Sequence, residues 1–253
     1  MFLKNYFIQL AKDILIRFPR NVGRLFEFVG EYNRFKKLSD NRFSVSLPDV
    51  YPCLADKTKT TPFDQHYVYH PAWAARKVKA INPEKHIDIS STLYFCSLLS
   101  TFIPVEFYDY RPAKLTLDNL ESREGDLLNL PFETNSVHSI SCMHTIEHVG
   151  LGRYGDPIDY DGDLKAIKEL KRVTAVGGNI LFVVPLGASP RIFFNAHRIY
   201  TKDQVVDLFS DFKLQEFALI PEDENDGGLV VDPDPDLLRR QVYGCGCFWF
   251  VKQ

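Results

Sequence analysis

Two histidines flank a glutamate in the stretch "SCMHTIEHVGLGRYGDP", residues 141–157, and the glycines Gly150, Gly152 and Gly155 follow directly. Imidazole changes protonation near neutral pH, so a histidine here can take a proton from a hydroxyl or an amine. His148 is the first candidate for that work, with His144 and His197 behind it. Glu147 could orient a histidine or bond a ligand itself. Arg153 and Arg198 carry planar forks of donors that suit an anionic or sugar group. Tyr154 and Asp156 lie in the same glycine-rich loop and join the candidate substrate contacts. Each residue also has a purely structural reading. His144 can be a strand-end residue, Glu147 and Arg153 a loop-fixing ion pair, and "FNAHRIY" (194–200) a rigid turn before a helix.

Elements that could position such a cluster begin at His86. "HIDIS" reads as a strand, "STLYFCSLLSTF" as a helix, "PVEFYDY" as a second strand, "REGDLL" as a third and "SVHSISCM" as a fourth. "DLKAIKELKRV" is a helix with Leu164, Ile167, Leu170 and Val173 on one stripe, and Gly177-Gly178 stops the run beyond its end. "NILFVVPL" is a continuous apolar run, as expected of a strand buried on both faces. "TKDQVVDLF", "FKLQEFALI" and "YGCGCFWFVK" follow as helix, strand and strand. This alternation predicts an α/β fold: a doubly wound, mostly parallel sheet covered on both sides. In such sheets ligands bind beyond the carboxyl ends of the strands, where strand order reverses.

Three acids fall at successive strand ends of that pattern: Asp88, Asp109 and Asp126. Asp109 follows the first strand by about twenty residues, the spacing at which an acid meets ribose hydroxyls in dinucleotide folds. The loop after the first strand reads "DISSTLYF", with Ser90, Ser91 and Thr92 where a close approach to a ligand favours glycine. Their hydroxyls can cap the following helix or bond a carboxylate.

The order "GDLLNLPFETNSVHSISCMHTIEHVG", then "LKAIKELKRVTAVGGNILFVVP", resembles the class I S-adenosylmethionine-dependent methyltransferase superfamily. More narrowly, "EHVGLGRYGDPIDYDGDLKAIKEL" and "FNAHRIY" resemble an uncharacterised domain-of-unknown-function family with the signature EHxGLGRYGD. The resemblance covers residues 86–252 and implies a seven-stranded Rossmann-like sheet with S-adenosylmethionine as cofactor. It implies that Asp109 holds the cofactor's ribose and that Asp126 and Leu127 flank its adenine. Asp88, Ser90 and Thr92 would shape the first loop around the ligand. The acceptor would be a small or glycan-like molecule, facing the segment after the fourth strand. The superfamily's first loop usually reads Asp-x-Gly-x-Gly, and its absence here leaves a second reading open: a methyltransferase-shaped binding or scaffold protein without catalysis. A nucleotide-dependent oxidoreductase is the third, opposed by the missing glycine fingerprint.

The rest of the chain bounds the partners. A formal charge of −3 over 253 residues does not suggest a nucleic-acid surface, a local basic patch aside, and no nucleic-acid partner is expected. Cys53, Cys96, Cys142, Cys245 and Cys247 match no paired metal-binding spacing, and no metal is expected. A reducing cytoplasm is the simplest compartment. Residues 1–65 read as a helical extension and connector, and 66–253 as the α/β domain. Leu3, Phe7, Leu10, Ile14 and Phe18 recur at helical spacing. That stripe is expected to pack on the domain, the alternative being peripheral membrane contact through residues 1–18. "VGRLFEFVGEYNRFKKL" is a second helix, and "PAWAARKVKAI" a short one with Pro71 at its first position.

Overall fold

The computed structural model describes residues 22–40 and 42–253. The candidate helix over residues 3–18, with its membrane alternative, lies outside them. The chain divides into two compact units, the second being Asp64–Gln253. In the first unit, residues 22–37 form a helix, α1. Lys57 bridges its Glu27 and Glu31 at 2.8 and 2.6 Å.

The second unit opens with α2 (Gln65–Ile81). It starts six residues before Pro71, because Asp64 caps it by accepting a hydrogen bond from the Tyr67 amide. Pro71 therefore lies inside the helix, not at its first position. Strands β1 (His86–Ile89), β2 (Val105–Asp109), β3 (Leu120–Glu124) and β4 (Val137–Met143) follow, with α3 (Leu93–Leu99) between β1 and β2. The third strand ends before the expected "REGDLL" is complete, so Asp126 and Leu127 sit in the turn beyond it.

After β4 come α4 (Gly162–Val173), β5 (Thr174–Leu186), β6 (Arg191–Phe193), β7 (His197–Ile199), α5 (Lys202–Leu208), β8 (Phe212–Ile220), β9 (Val230–Val231), α6 (Pro235–Arg240) and β10 (Gly244–Lys252). The main sheet runs β3-β2-β1-β4-β5-β10-β8-β9. Its first five strands are parallel, and β10 is antiparallel to both neighbours. The seven expected strands are thus joined by an eighth, the two-residue edge strand β9. β6 and β7 form a hairpin where "FNAHRIY" reads as a turn. Gly177 and Gly178 do not stop the chain. They lie within β5, at a register shift against β4, where a Cβ on Gly178 would meet the Ala175 oxygen at 2.7 Å.

The sequence dictates the packing. Along β5, Ile180, Phe182 and Val184 enter the core on one face while Leu181 and Val183 enter the core on the other. Both faces are covered, so the run has no polar alternation. α4 buries Ala166, Ile167, Leu170 and Val173 on one side. Each of its larger side chains contributes roughly 1.5–3 kcal/mol by leaving water. Strand order reverses between β1 and β4, which fixes the crevice above their carboxyl ends.

Candidate active site at the carboxyl edge of the sheet

Two adjoining hollows of about 430 Å³ each open at that crevice. They share Ser90, His144, His148 and Tyr154. The first is lined further by Asp109, Asp126 and Leu127, and the second by Thr92, Glu147, Arg153 and His197. The fold therefore gathers most of the sequence-derived candidates on one continuous cleft.

Asp109 ends β2, and its carboxylate accepts from the Arg111 amide at 2.7 Å. The Gly125 amide donates to the Asp109 carbonyl at 3.1 Å, which sets the turn carrying Asp126 beside it. Asp126 accepts from the Leu128 amide at 2.8 Å. Each acid uses one carboxylate oxygen on its own turn.

Asp88 is placed differently from expectation. It is fully buried beneath the cleft, accepting from the Ser91 amide at 3.0 Å and from the Ser141 hydroxyl. Burial pushes its pKa up to about 6, against the lowering effect of the serine hydrogen bonds. Asp88 thus braces the first loop and does not line the cleft. Ser90 takes the left-handed backbone that a glycine would adopt, at φ +55°. Its hydroxyl is turned to Tyr108 O at 3.2 Å, and Ser91 Oγ accepts from the Met143 amide at 3.1 Å. Thr92 caps α3. The serines reproduce the bend by tying it to β2 and β4.

The histidine cluster is tightly organised. His144, at φ +54°, is buried, with Nδ1 2.8 Å from Glu147 Oε1. Its Nδ1 therefore donates to the carboxylate, leaving Nε2 bare and 3.4 Å from Cys245 Sγ. The expected Glu147–Arg153 pair is replaced by this one. His148 Nδ1 donates to the Ala196 carbonyl at 2.6 Å, which leaves Nε2, 3.8 Å from Glu147 Oε1, as the nitrogen that can accept a proton. Arg153 shares that carbonyl at 3.1 Å. The Tyr154 ring is flanked by the guanidinium groups of Arg111 (4.8 Å) and Arg153 (5.2 Å). Burial, partly offset by Glu147, lowers the pKa of His197.

Two candidates serve the loop itself. Asp156 accepts from the amides of Gly150 (2.8 Å), Gly152 (3.3 Å) and Tyr154 (3.2 Å) while lining the first hollow. Arg198 is buried, donates to the carbonyls of Val149, Asp159 and Tyr160, and lines neither hollow. It therefore clamps the loop, and it lines a separate hollow with Tyr160, Asp163 and Arg191. Gly150, at φ +80°, needs its missing Cβ, because a Cβ there would lie 2.0 Å from the Asp159 oxygen.

Sequence reasoning missed Arg111, Tyr67 and Tyr243, all at the cleft. Arg111 had a local signal, two residues after the β2 acid. Tyr67 and Tyr243 come from α2 and the approach to β10 and had none.

Residues 131–224 match the model of a family described as "Caenorhabditis protein of unknown function, DUF268". No curated protein matches the sequence. Among solved structures, a Burkholderia thailandensis 1,6-didemethyltoxoflavin-N1-methyltransferase, with 1,6-didemethyltoxoflavin and S-adenosylhomocysteine bound, is 12% identical with a TM-score of 0.51. The match covers 73% of this chain and 79% of that one. A candidate sarcosine dimethylglycine methyltransferase from Galdieria sulphuraria is 14% identical, covering 72% and 85%, with a TM-score of 0.51. The fold is class I methyltransferase-like, and residues 131–224, in the second half of the chain, resemble DUF268.

Proposed function

We propose that this chain transfers a methyl group from S-adenosylmethionine to a small or glycan-like acceptor. One observation carries the reading. Asp109, Asp126 and His148 line one hollow at the switch point of the sheet, and His148 is shared with the second hollow. The residues present fit the cofactor: two adjacent acids can accept from ribose hydroxyls and an adenine amine, and Leu127 offers an apolar face. When bound, S-adenosylmethionine supplies an electrophilic methyl carbon.

The chain's own part is alignment and proton removal. Arg153, Tyr154 and His148 bound the second hollow, where an acceptor hydroxyl or amine would lie. Holding it in line is worth several kcal/mol in effective concentration. His148 Nε2 takes the acceptor proton, while Ala196 keeps the ring oriented. Residues 1–65 are then an extension and connector, and 66–253 the transferase domain. The free cysteines agree with a reducing cytoplasm.

The non-catalytic reading is favoured by one feature, the Ser90-Ser91 loop in place of glycines. Titration calorimetry with S-adenosylmethionine separates the two. The transferase binds it at micromolar concentration, and Asp109→Ala weakens binding at least tenfold. Absence of any heat of binding to the wild-type chain sinks the transferase and leaves the scaffold.

A further inference from the structure

We infer that His66, His144 and Cys245 form a zinc site beside the cleft. One ligand atom from each, contributed by α2, the end of β4 and the start of β10, lies within 4.8 Å of the others. His144 Nε2 is 3.4 Å from Cys245 Sγ. An imidazole nitrogen and a thiolate on one tetrahedral zinc ion stand about 3.6 Å apart, so this pair is already spaced for the metal. The His66 and His144 rings lie nearly parallel with centroids 5.3 Å apart, and His66 closes the site by turning a ring nitrogen inward from the 4.8 Å limit toward the roughly 3.4 Å of two nitrogens on one zinc ion.

The surroundings support a metal over a plain thiol–imidazole hydrogen bond. Glu147, buried, accepts from His144 Nδ1 at 2.8 Å and so aims Nε2 at the thiol. A carboxylate behind a metal-bound histidine is the usual second layer of a zinc centre. Two buried polar atoms at this cluster have no hydrogen-bond partner: Glu147 Oε2 and His70 Nε2. His70 lies one turn after His66 on α2, with its ring edge-on to His144 at 5.1 Å. Its Nδ1 donates to His66 O at 2.5 Å, so its Nε2 is an acceptor, as is Glu147 Oε2. A water on the fourth metal position is a donor and suits both.

Nitrogen and sulfur ligands exclude magnesium and calcium, which take oxygen. On binding, the Cys245 S–H bond breaks, its proton goes to solvent and a zinc–thiolate bond forms, with no change of oxidation state. Three protein ligands leave one open position, and His144 is the ligand that also lines the cleft. The site stands independently of methyl transfer, and its failure would leave cofactor binding untouched.

The test is titration of the chelator-treated full chain with cobalt(II) followed by optical absorption. One equivalent is expected to give tetrahedral d–d bands and a thiolate-to-cobalt charge-transfer band, both abolished by added zinc. Cys245→Ser loses the charge-transfer band, and Glu147→Gln weakens cobalt affinity 10- to 100-fold. Absence of both bands in the wild-type chain overturns the site, as does a charge-transfer band that survives in Cys245→Ser. Should Cys245→Ser fail to fold, His66→Ala decides: at least tenfold weaker cobalt binding supports the site, and unchanged binding overturns it.

Discussion

The role proposed for His148 rests on its partners. Its Nδ1 is committed to the Ala196 carbonyl at 2.6 Å, so only Nε2 is available for a proton. A base of this kind contributes typically 10²–10⁴-fold to rate. His148→Ala is expected to retain S-adenosylmethionine affinity within about twofold and to lose turnover by that factor, measured on any acceptor that supports activity. Full turnover in the variant would assign the proton to another group. The position of His148 at the cleft was legible in the sequence because it follows a strand at the crevice. The buried service of Arg198 was not, because a guanidinium reads the same whether it meets ligand or three backbone carbonyls.

At the scale of elements, β1 and β4 are joined through a buried polar chain. His86 contacts Ser139 at 2.8 Å and Ser141 at 2.9 Å, and Ser141 donates to Asp88. Burial holds the pKa of His86 down at about 3 and that of Asp88 up at about 6. The signs oppose each other. Asp88 keeps its proton more firmly in the folded chain, so its contribution to stability falls as pH rises from about 4 to about 6. His86 is held neutral, so its contribution falls as pH drops from 6.5 toward 3. Asp88→Asn removes only the first slope. The stability of that variant relative to wild type should therefore rise between about pH 4 and 6 and level off above, by up to ~1.4 kcal/mol per pH unit in the steep part. Urea unfolding at several pH values measures it, and a parallel pair of curves would refute the assignment. The same elements were largely legible beforehand, since β1, β2, β4 and α4 follow clear hydrophobic periods. The β6–β7 hairpin was missed because three-residue strands carry too little periodicity.

For the whole molecule, the proposed cofactor would bridge residues from the ends of β1, β2, β3 and β4. A ligand held by several elements of one core stabilises that core as a unit, by about 2.7 kcal/mol at one hundred times its Kd. S-adenosylmethionine at that excess should raise the melting temperature of the domain by several degrees, and at the same ligand concentration Asp109→Ala should cut the shift to about half or less. A differential scanning measurement that shows no shift in wild type would count against binding.

The sequence by itself determined the sheet, its two covered faces and the placing of Asp109 and Asp126 at its rim, because those follow from local periodicity and strand-end position. Only the tertiary structure decided that Asp88 turns inward, that Arg198 serves the loop, and that His144 meets Cys245, 101 residues away. The reason is physical: direction and burial of a side chain depend on which distant elements pack against it, and no local pattern encodes that neighbour.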